Sequence, residues 1–441
     1  MEILIKIAQL LLSLSILVII HEFGHYLPAR LFKTRIEKFY LFFNPWFSLF
    51  RFRRGETEYG VGWLPLGGYV KISGMIDESI DREQMKKEPQ PYEFRSKPTW
   101  QRLIILLGGV TMNVFLAIFI YIILLASYGE KYIPNNSLKY GIACDSIAFD
   151  FGLKNGDKIL KVDDEEVDDF FDITAKIILD NASTIIVNRD DSVITINIPD
   201  GAIVNLIRSQ SIGFISPRIP FIIGGFVENS PAKEAGIKVS DRIIGINAQE
   251  YLYFNEFRSA IQKHKSQIVD IMVLRNNDTL IVPVNVNEEG FIGVIPVQGM
   301  DYFFDIKTRE YNIVQAMPAG VVKTYTTTVN YFKQIKLIFS PKTKAYESLG
   351  GFITIGKIFP AQWNWVAFWS LTAFISIILA VLNILPIPAL DGGHIMFVLY
   401  EIITRRKPSD KFIEYAQITG MVILFSLVLY ANGLDVLRLF R

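Results

Sequence analysis

The sequence predicts a polytopic α-helical membrane protein with about four transmembrane helices, two small external domains and a β-hairpin associated with the membrane. Three observations lead to this prediction: four long apolar runs, an uneven distribution of Lys and Arg, and an internal repeat between the second and third runs. Of the 441 residues, 51% are hydrophobic and 20% are charged, an apolar share that is high for a soluble protein.

The apolar runs have the length that a bilayer requires. They cover residues 3–20, 103–127, 364–385 and 412–432. Each has roughly the 20 residues that a helix needs to cross the hydrocarbon core, and a segment in lipid must be helical because its backbone groups find no other partners. No small-residue cleavage site follows the first run, so we interpret it as a retained span and not as a signal peptide.

The basic residues predict the orientation of the spans. They crowd the segment between the first two runs and the linker between the last two, and loops of this kind stay in the cytoplasm. Both termini and the long middle segment are therefore predicted to lie outside. The basic residues of the two loops are Arg30, Lys33, Arg35, Lys38, Arg51, Arg53, Arg54, Lys71, Arg82, Lys86, Lys87, Arg95, Lys97, Arg102, Arg405, Arg406, Lys407 and Lys411.

Charge and cysteine content exclude several classes of function. The formal net charge is +1 and no basic block stands out, which argues against a nucleic-acid partner. Cys144 is the single cysteine, so the chain can form neither an intramolecular disulfide nor a Cys-rich zinc site.

The middle segment contains an internal repeat. The stretch 152–160 (GLKNGDKIL) recurs at 236–244 (GIKVSDRII), at an offset of 236 − 152 = 84 residues, about one small domain per copy. Both copies resemble PDZ domains of the permuted bacterial kind, so we predict PDZ domains at 138–217 and 218–300. PDZ domains bind extended peptides by adding a strand to their sheet, and the resemblance leaves open whether these two bind peptide or act as a steric barrier.

Two membrane parts flank the repeat, residues 1–137 with the first two spans and 363–441 with the last two. Residues 301–362 form the connection, in which 312–338 are predicted to be an amphipathic helix. We expect that helix to pack on the external domains or to lie in the outer membrane interface. Its predicted apolar face consists of Val321, Val322, Tyr325, Val329, Phe332 and Ile335.

A metal-binding motif, His21-Glu22-Phe23-Gly24-His25, lies at the end of the first apolar run. Residues four apart share one face of a helix, so both imidazoles can reach one zinc ion. Zinc lowers the pKa of a bound water to about 7, and Glu22 is placed to deprotonate it. Ionisable groups are costly at membrane depth and are functional by default, so we predict that His21 and His25 bind zinc and that Glu22 is the general base.

A catalytic zinc usually has a third protein ligand, for which Asp391 is the best candidate. It follows two prolines that prevent an ordinary helix, in the stretch 383–394 (NILPIPALDGGH). The first and third runs both cross inward, so the two motifs are expected to meet on the cytoplasmic side. His394, one helical turn further on, is a rival ligand, which we interpret as a neighbouring or interfacial group.

Together these motifs resemble the site-2 protease family (M50-type), in particular its bacterial RseP-like branch, over nearly the whole chain. The resemblance rests on His21 to His25 and on the Asn-x-x-Pro-x-Pro-x-Leu-Asp-Gly-Gly pattern from Asn383 to Gly393. It implies that Asn383 lies near the substrate, and that residues 59–71 form a membrane-associated β-loop that pairs with it. We interpret this loop as a hairpin edge, with substrate-binding residues Gly67, Gly68, Tyr69 and Val70.

The sequence therefore predicts a zinc metalloendopeptidase of the bacterial inner membrane. By resemblance, its substrates are single-pass membrane proteins, such as anti-sigma factors or remnant signal peptides, cut after their external domain has been removed. Two alternatives stay open at this point. One is a non-catalytic PDZ scaffold in the membrane, and the other is a membrane-anchored protease that acts on external soluble proteins.

Overall fold

The structure of the protein is a computed structural model, which describes residues 1–65, 67–75, 88–209 and 213–440. These residues form two compact units. The helical unit contains residues 1–129, 310–340 and 344–441, and the β-rich unit contains 130–309 and 341–343. Leu66 of the predicted β-loop and three basic residues of the first loop (Arg82, Lys86 and Lys87) lie outside the described ranges.

Four helices are long and apolar enough to cross a membrane, which confirms the four predicted spans. In chain order the helices are α1 (Glu2–Leu31), α2 (Thr99–Tyr128), α3 (Ser146–Asp150), α4 (Asp172–Leu179), α5 (Ala202–Ser209), α6 (Pro231–Glu234), α7 (Phe254–Ile261), α8 (Ile313–Ile338), α9 (Phe352–Ile358), α10 (Trp365–Ile384), α11 (Asp391–Thr404) and α12 (Asp410–Leu439). The four spanning helices are α1, α2, α10 and α12.

The ends of the spanning helices follow from local chemistry. Asn364 caps α10 by accepting a hydrogen bond from the Ala367 N–H at 2.9 Å, and a side-chain acceptor at this position satisfies an otherwise free backbone donor. At the C-terminal end of α2, Gly129 takes a positive φ of 66°, which glycine adopts without steric cost. The helix α1 runs past its apolar run to Leu31, so the His-Glu motif lies inside regular helix.

Strands occur in both units. Those of the helical unit are β1 (Ile36–Leu41), β2 (Phe43–Arg54), β3 (Thr57–Leu64) and β4 (Tyr69–Ile72). Those of the β-rich unit are β5 (Glu130–Tyr132), β6 (Ile142–Cys144), β7 (Lys158–Val162), β8 (Glu165–Glu166), β9 (Thr184–Arg189), β10 (Ser192–Asn197), β11 (Ile215–Pro217), β12 (Phe221–Phe226), β13 (Arg242–Ile246), β14 (Gln249–Glu250), β15 (Ile268–Arg275), β16 (Asp278–Asn285), β17 (Val294–Pro296) and β18 (Lys307–Arg309).

The sheet of the helical unit has the order β2-β3-β1-β4, and this order corrects one prediction. Residues 59–71 are not a hairpin, because β1 lies between β3 and β4, parallel to the first and antiparallel to the second. The hairpin is instead β2–β3, turning at Gly55, whose φ is 63°. The alternation of 59–71 is a local pattern, and it cannot reveal that an upstream strand inserts between its two halves. As the last strand in the order, β4 has no strand on its outer edge among the described residues.

The helix α8 begins at a capping box formed by Asn312 and Gln315, close to the predicted start. Within the helical unit α8 packs on the spanning helix α2, a contact that the prediction did not include. Its buried residues are Ala316, Gly320 and Thr324. A Cβ at Gly320 would lie 2.6 Å from Cγ1 of Ile122, so the small residues let the two backbones approach.

Part of the predicted apolar face of α8 is turned outward, although Ile335 packs against the buried cluster of α2 and α10. Val321, Val322 and Tyr325 are exposed, Tyr325 at 70% of its surface. A hydrophobic pattern alone suggests that the larger side chains face the protein, but small residues form the closest contact between these two helices.

The β-rich unit contains two hydrophobic cores, one for each copy of the sequence repeat. In the first copy Arg189 donates to both carboxylate oxygens of Asp157, and in the second copy Arg275 does the same for Asp241. Burial raises the pKa of Asp241, but the bonds from Arg275 and from a backbone N–H outweigh it and lower the pKa below its usual range. The repeat is thus present in the structure as well as in the sequence.

Candidate metal centre

The helix α1 carries the first half of the candidate centre. Because His21 and His25 are one helical turn apart, their rings lie on the same face, and the two Nε2 atoms are 3.3 Å apart. His25 is buried and His21 is partly buried. Two imidazole nitrogens so close together suit a shared cation better than a contact with each other.

Asp391 completes a triangle with the two imidazoles. Its Oδ2 lies 3.2 Å from Nε2 of His21 and 3.4 Å from Nε2 of His25. Asp391 is the first residue of α11, directly after the Pro386–Pro388 loop. A Cβ at Gly420 of α12 would collide with the backbone of Pro388, so α12 packs closely on the loop that presents Asp391.

The triangle has the dimensions of a zinc site. A tetrahedral zinc with bonds of about 2.0–2.1 Å has ligand atoms about 3.3–3.4 Å apart. The three atoms here are separated by 3.2, 3.3 and 3.4 Å. Among the residues described, these three are the group of His, Cys, Asp or Glu side chains that could hold a metal ion. Oδ2 of Asp391 is also buried, and it has no hydrogen-bond partner among the described residues. These three residues therefore fit a zinc ion.

Hydrogen bonds from α2 orient the two imidazoles. His25 Nδ1 lies 2.8 Å from the carbonyl oxygen of Ile105, so Nδ1 carries the proton and the lone pair of Nε2 is free. His21 Nδ1 lies 3.2 Å from the amide nitrogen of Asn113, whose Oδ1 is buried without a partner among the described residues. A half-turn of this amide lets Oδ1 accept the proton of His21 Nδ1, so that Nε2 is again free for a metal.

Asn113 therefore orients a candidate ligand, a role that sequence reasoning did not assign to it. We expect Asn113→Ala to weaken zinc binding roughly 10- to 100-fold, the usual cost of losing a partner of a ligating histidine. Asn113→Asp keeps the acceptor and should retain most of the affinity. Zinc competition with a chelator of known affinity measures both variants.

The matched control for Asn113 is Ser376→Ala, which removes a hydroxyl bonded to the backbone carbonyl of Asn113 at 2.8 Å. This variant should bind zinc like the unaltered protein, because the lost bond does not reach an imidazole. If Asn113→Ala also keeps full affinity, the amide has no role in orienting His21.

Glycines let α1 and α2 approach each other at the centre. A Cβ at Gly24 would lie 2.8 Å from Cα of Gly109, and a Cβ at Gly109 would lie 2.6 Å from Cε1 of His21. The rings thus occupy space that a side chain at position 109 would fill. The only sequence signal for this close approach of the two helices was the Gly108-Gly109 pair inside an apolar span. Such a pair is typical of close helix packing.

Glu22 lies on the neighbouring face of α1, beside strand β4. Its side chain is partly buried, and a Cβ at Gly68 would lie 3.6 Å from Cγ of Glu22. The start of β4, which follows Gly68 directly, is therefore adjacent to the candidate base.

The other predicted substrate-binding residues are distributed around this point. The amide nitrogen of Asn383 lies 3.3 Å from Nε2 of His21, at the edge of the triangle. Tyr69 points away from it, since its ring stacks on Tyr40 with centroids 5.4 Å apart. A Cβ at Gly67 would lie 3.0 Å from Cε2 of Phe43, and Val70 packs against the hydrophobic cluster that contains Ala29. The structure thus brings Asn383 to the triangle and Gly68 to Glu22, but it does not bring Tyr69 or Gly67 there.

Two further candidates lie outside the triangle. His394 Nε2 is 3.1 Å from the amide nitrogen of Gln417 on α12, so the rival ligand contacts a neighbouring helix instead. Cys144 is in the β-rich unit, where burial and nearby carboxylates raise the pKa of its thiol to about 12. A thiol with this pKa is protonated at neutral pH and is a poor nucleophile.

Comparison with known proteins identifies the family. A profile described as Peptidase family M50 matches residues 9–427. Regulator of sigma E protease from Haemophilus influenzae is 28% identical over 100% of both chains, and Regulator of sigma-E protease RseP from Salmonella typhimurium is 26% identical over the same shares. A Campylobacter jejuni relative whose name includes zinc metalloprotease is 29% identical over 99% of this chain and 94% of its own. The chain therefore belongs to peptidase family M50, the site-2 proteases, and is a zinc-dependent metalloprotease with membrane-spanning helices.

Proposed function

We propose that this protein hydrolyses peptide bonds in or beside the transmembrane segment of single-pass membrane proteins. The observation that carries the proposal is the triangle of His21, His25 and Asp391 with Glu22 beside it, built on and between membrane-spanning helices. Ionisable groups at this depth are costly and mark functional sites. A substrate that reaches them must itself enter the membrane.

In this proposal His21, His25 and Asp391 hold the metal and Glu22 is the general base. Zinc supplies Lewis-acid polarisation of the scissile carbonyl and acidifies the attacking water. Glu22 takes a proton from that water as the water oxygen bonds to the carbonyl carbon. It returns the proton to the leaving nitrogen as the C–N bond breaks.

The edge of β4 is suited to hold the substrate. A transmembrane helix has all its backbone hydrogen bonds made, so it must unwind locally before a peptide bond can be attacked. An unwound segment can pair with the open edge of β4, where Gly67 and Gly68 present no side chain to obstruct it. Asn383, close to His21, is placed to donate to a polarised carbonyl oxygen.

The β-rich unit would limit which substrates reach the site. We propose that its two repeats, 138–217 and 218–300, are PDZ domains on the external side of a bacterial inner membrane, and that they exclude proteins with an intact external domain. The substrates would be anti-sigma factors or remnant signal peptides. Two relatives carry names that refer to sigma E regulation, which supports the first of these classes.

Co-expression with tagged single-span substrates, with and without a large external domain, tests this proposal. We expect cleavage of the truncated substrate only, because the intact one is too large to pass the external domains. Immunoblotting of the tag measures the product, and Glu22→Gln provides the background.

Three results would contradict parts of the proposal. Equal cleavage of both substrates would contradict the proposed size filter. It would still be consistent with the proposed intramembrane cleavage. Cleavage of a soluble external protein, without cleavage of either spanning substrate, favours a membrane-anchored protease with external targets. Failure to cut anything in a zinc-loaded preparation shows that the substrate class is wrong.

A further inference from the structure

A cavity of about 430 Å³ opens on the four-stranded sheet, and none of its lining residues belongs to the metal centre. Two cationic side chains, Lys38 on β1 and Arg51 on β2, line it together with the carboxylate of Glu58 on β3. Neither cation forms an ion pair with any residue in the described part of the chain. Two uncommitted cations against one carboxylate give the cavity a net positive charge.

The carboxylate of Glu58 already accepts a hydrogen bond inside the cavity. The hydroxyl of Tyr40, itself buried, donates to Oε1 of Glu58 at 2.7 Å. Ser48 lies 3.2 Å from the same hydroxyl and accepts a bond from Asn44 Nδ2 at 3.1 Å. The floor is therefore an ordered polar network, and the cations above it remain available to an anion. Charge-assisted bonds of this type favour phosphate oxygens.

The rim of the cavity is apolar and exposed. Trp46 has 91% of its surface accessible and Phe47 has 56%, although such large aromatic side chains are usually covered. Trp46 stacks on Trp63, whose indole nitrogen donates to the Pro45 carbonyl at 2.9 Å. The aromatic rim is thus fixed in place beside the cations.

The position of the sheet in the chain places this rim near lipid. Strand β1 begins at Ile36, five residues after α1 ends at Leu31 (36 − 31 = 5), and α1 is a membrane-spanning helix. Aromatic side chains are enriched at the membrane–water interface, and Lys and Arg there interact with anionic headgroups. An aromatic rim next to paired cations matches an amphipathic ligand better than a fully soluble one.

We infer that this cavity binds the phosphate of an anionic phospholipid, with the phosphate between Lys38 and Arg51 and the acyl chains against Trp46 and Phe47. A free phosphate ester has the same charged group, but it has no acyl chains to contact the apolar rim and so gains no binding free energy there. The cavity is also linked to strand β4, since the hydroxyl of Tyr69 donates to Oδ1 of Asn44 at 2.9 Å. A lipid in the cavity therefore steadies the network to which β4 is attached.

Native mass spectrometry of the purified, zinc-loaded full chain tests the inference. The probes are phosphatidylglycerol, phosphatidylcholine and the tail-free sn-glycerol 3-phosphate, each added in an uncharged detergent. We expect phosphatidylglycerol to be retained at least tenfold more strongly than either of the others. Lys38→Gln/Arg51→Gln should remove that preference, because only the charges on the cavity are lost.

The matched control is Lys33→Gln/Arg54→Gln, which changes the net charge equally on neighbouring residues that do not line the cavity. It should retain phosphatidylglycerol within about twofold of the unaltered chain. An equal loss in both double variants would show unspecific attraction and overturn the site. Glycerol phosphate binding as tightly as phosphatidylglycerol would identify a soluble phosphate ligand and overturn the lipid assignment.

A second measurement serves if the double variant does not fold. Bromination of phosphatidylglycerol acyl chains should quench tryptophan fluorescence more in the unaltered chain than in Trp46→Phe. Bromination of phosphatidylcholine at the same total lipid should give a much smaller difference between the two proteins. Equal differences for both lipids would mean that Trp46 meets bulk lipid and not a selected anionic one.

Discussion

Replacing Glu22 with Gln should lower the rate of cleavage of a truncated single-span substrate by roughly 10³-fold, the scale of a lost general acid–base. The amide cannot take the proton of the attacking water, although it is nearly the same size as the carboxylate. The metal ligands are unchanged, so the zinc content should stay at the level of the unaltered chain. Substrate cleavage by immunoblot and zinc by elemental analysis give the two readouts.

Glu2→Gln is the matched control, because the same substitution is made in the first, exposed turn of the same helix. This variant should cleave normally. A Glu22→Gln protein that keeps more than about a tenth of the activity would contradict the assignment of Glu22 as the base. A variant that loses zinc together with activity would show instead that Glu22 supports the metal.

Gly109→Ala should disable the enzyme by a different route, because its methyl group would occupy the space of the imidazoles. The added Cβ would lie 2.6 Å from Cε1 and 2.8 Å from Nε2 of His21. A contact this short forces the ring to move, and metal sites respond strongly to displaced ligands. We expect zinc affinity to fall by roughly 100-fold and cleavage to fall with it, while the chain still inserts in the membrane.

Gly433→Ala controls for the loss of a glycine in a spanning helix, since a Cβ there meets nothing within 4 Å. It should bind zinc and cleave like the unaltered protein. Normal zinc affinity in Gly109→Ala would mean that α2 can shift away from α1 without cost, and that the glycine is not needed for the centre.

Much of the candidate site could be predicted because its chemistry is local in sequence. The four-residue spacing of His21 and His25 defines a helix face, whatever the rest of the chain does. Asp391 could be found because prolines, glycines and a carboxylate at membrane depth are together hard to explain without a function. The structure brings these three residues together, and their role as ligands remains a proposal.

The parts that could not be predicted depend on contacts between distant segments. Whether β1 would insert between β3 and β4 depends on pairing along the whole sheet, which the pattern of 59–71 does not contain. The role of Gly109 is visible only once α1 is known to cross α2 at Gly24. The same holds for α8, where small residues and not the large apolar ones mark the helix contact.

The division of the triangle between the two ends of the chain has a consequence for biosynthesis. Asp391 follows His25 by 391 − 25 = 366 residues, so the ribosome has made most of the protein before a third ligand exists. Metal sites of this kind are rarely preformed in an incomplete chain. With Asp391 as the proposed third ligand, an unfinished or prematurely terminated product should therefore be proteolytically inert.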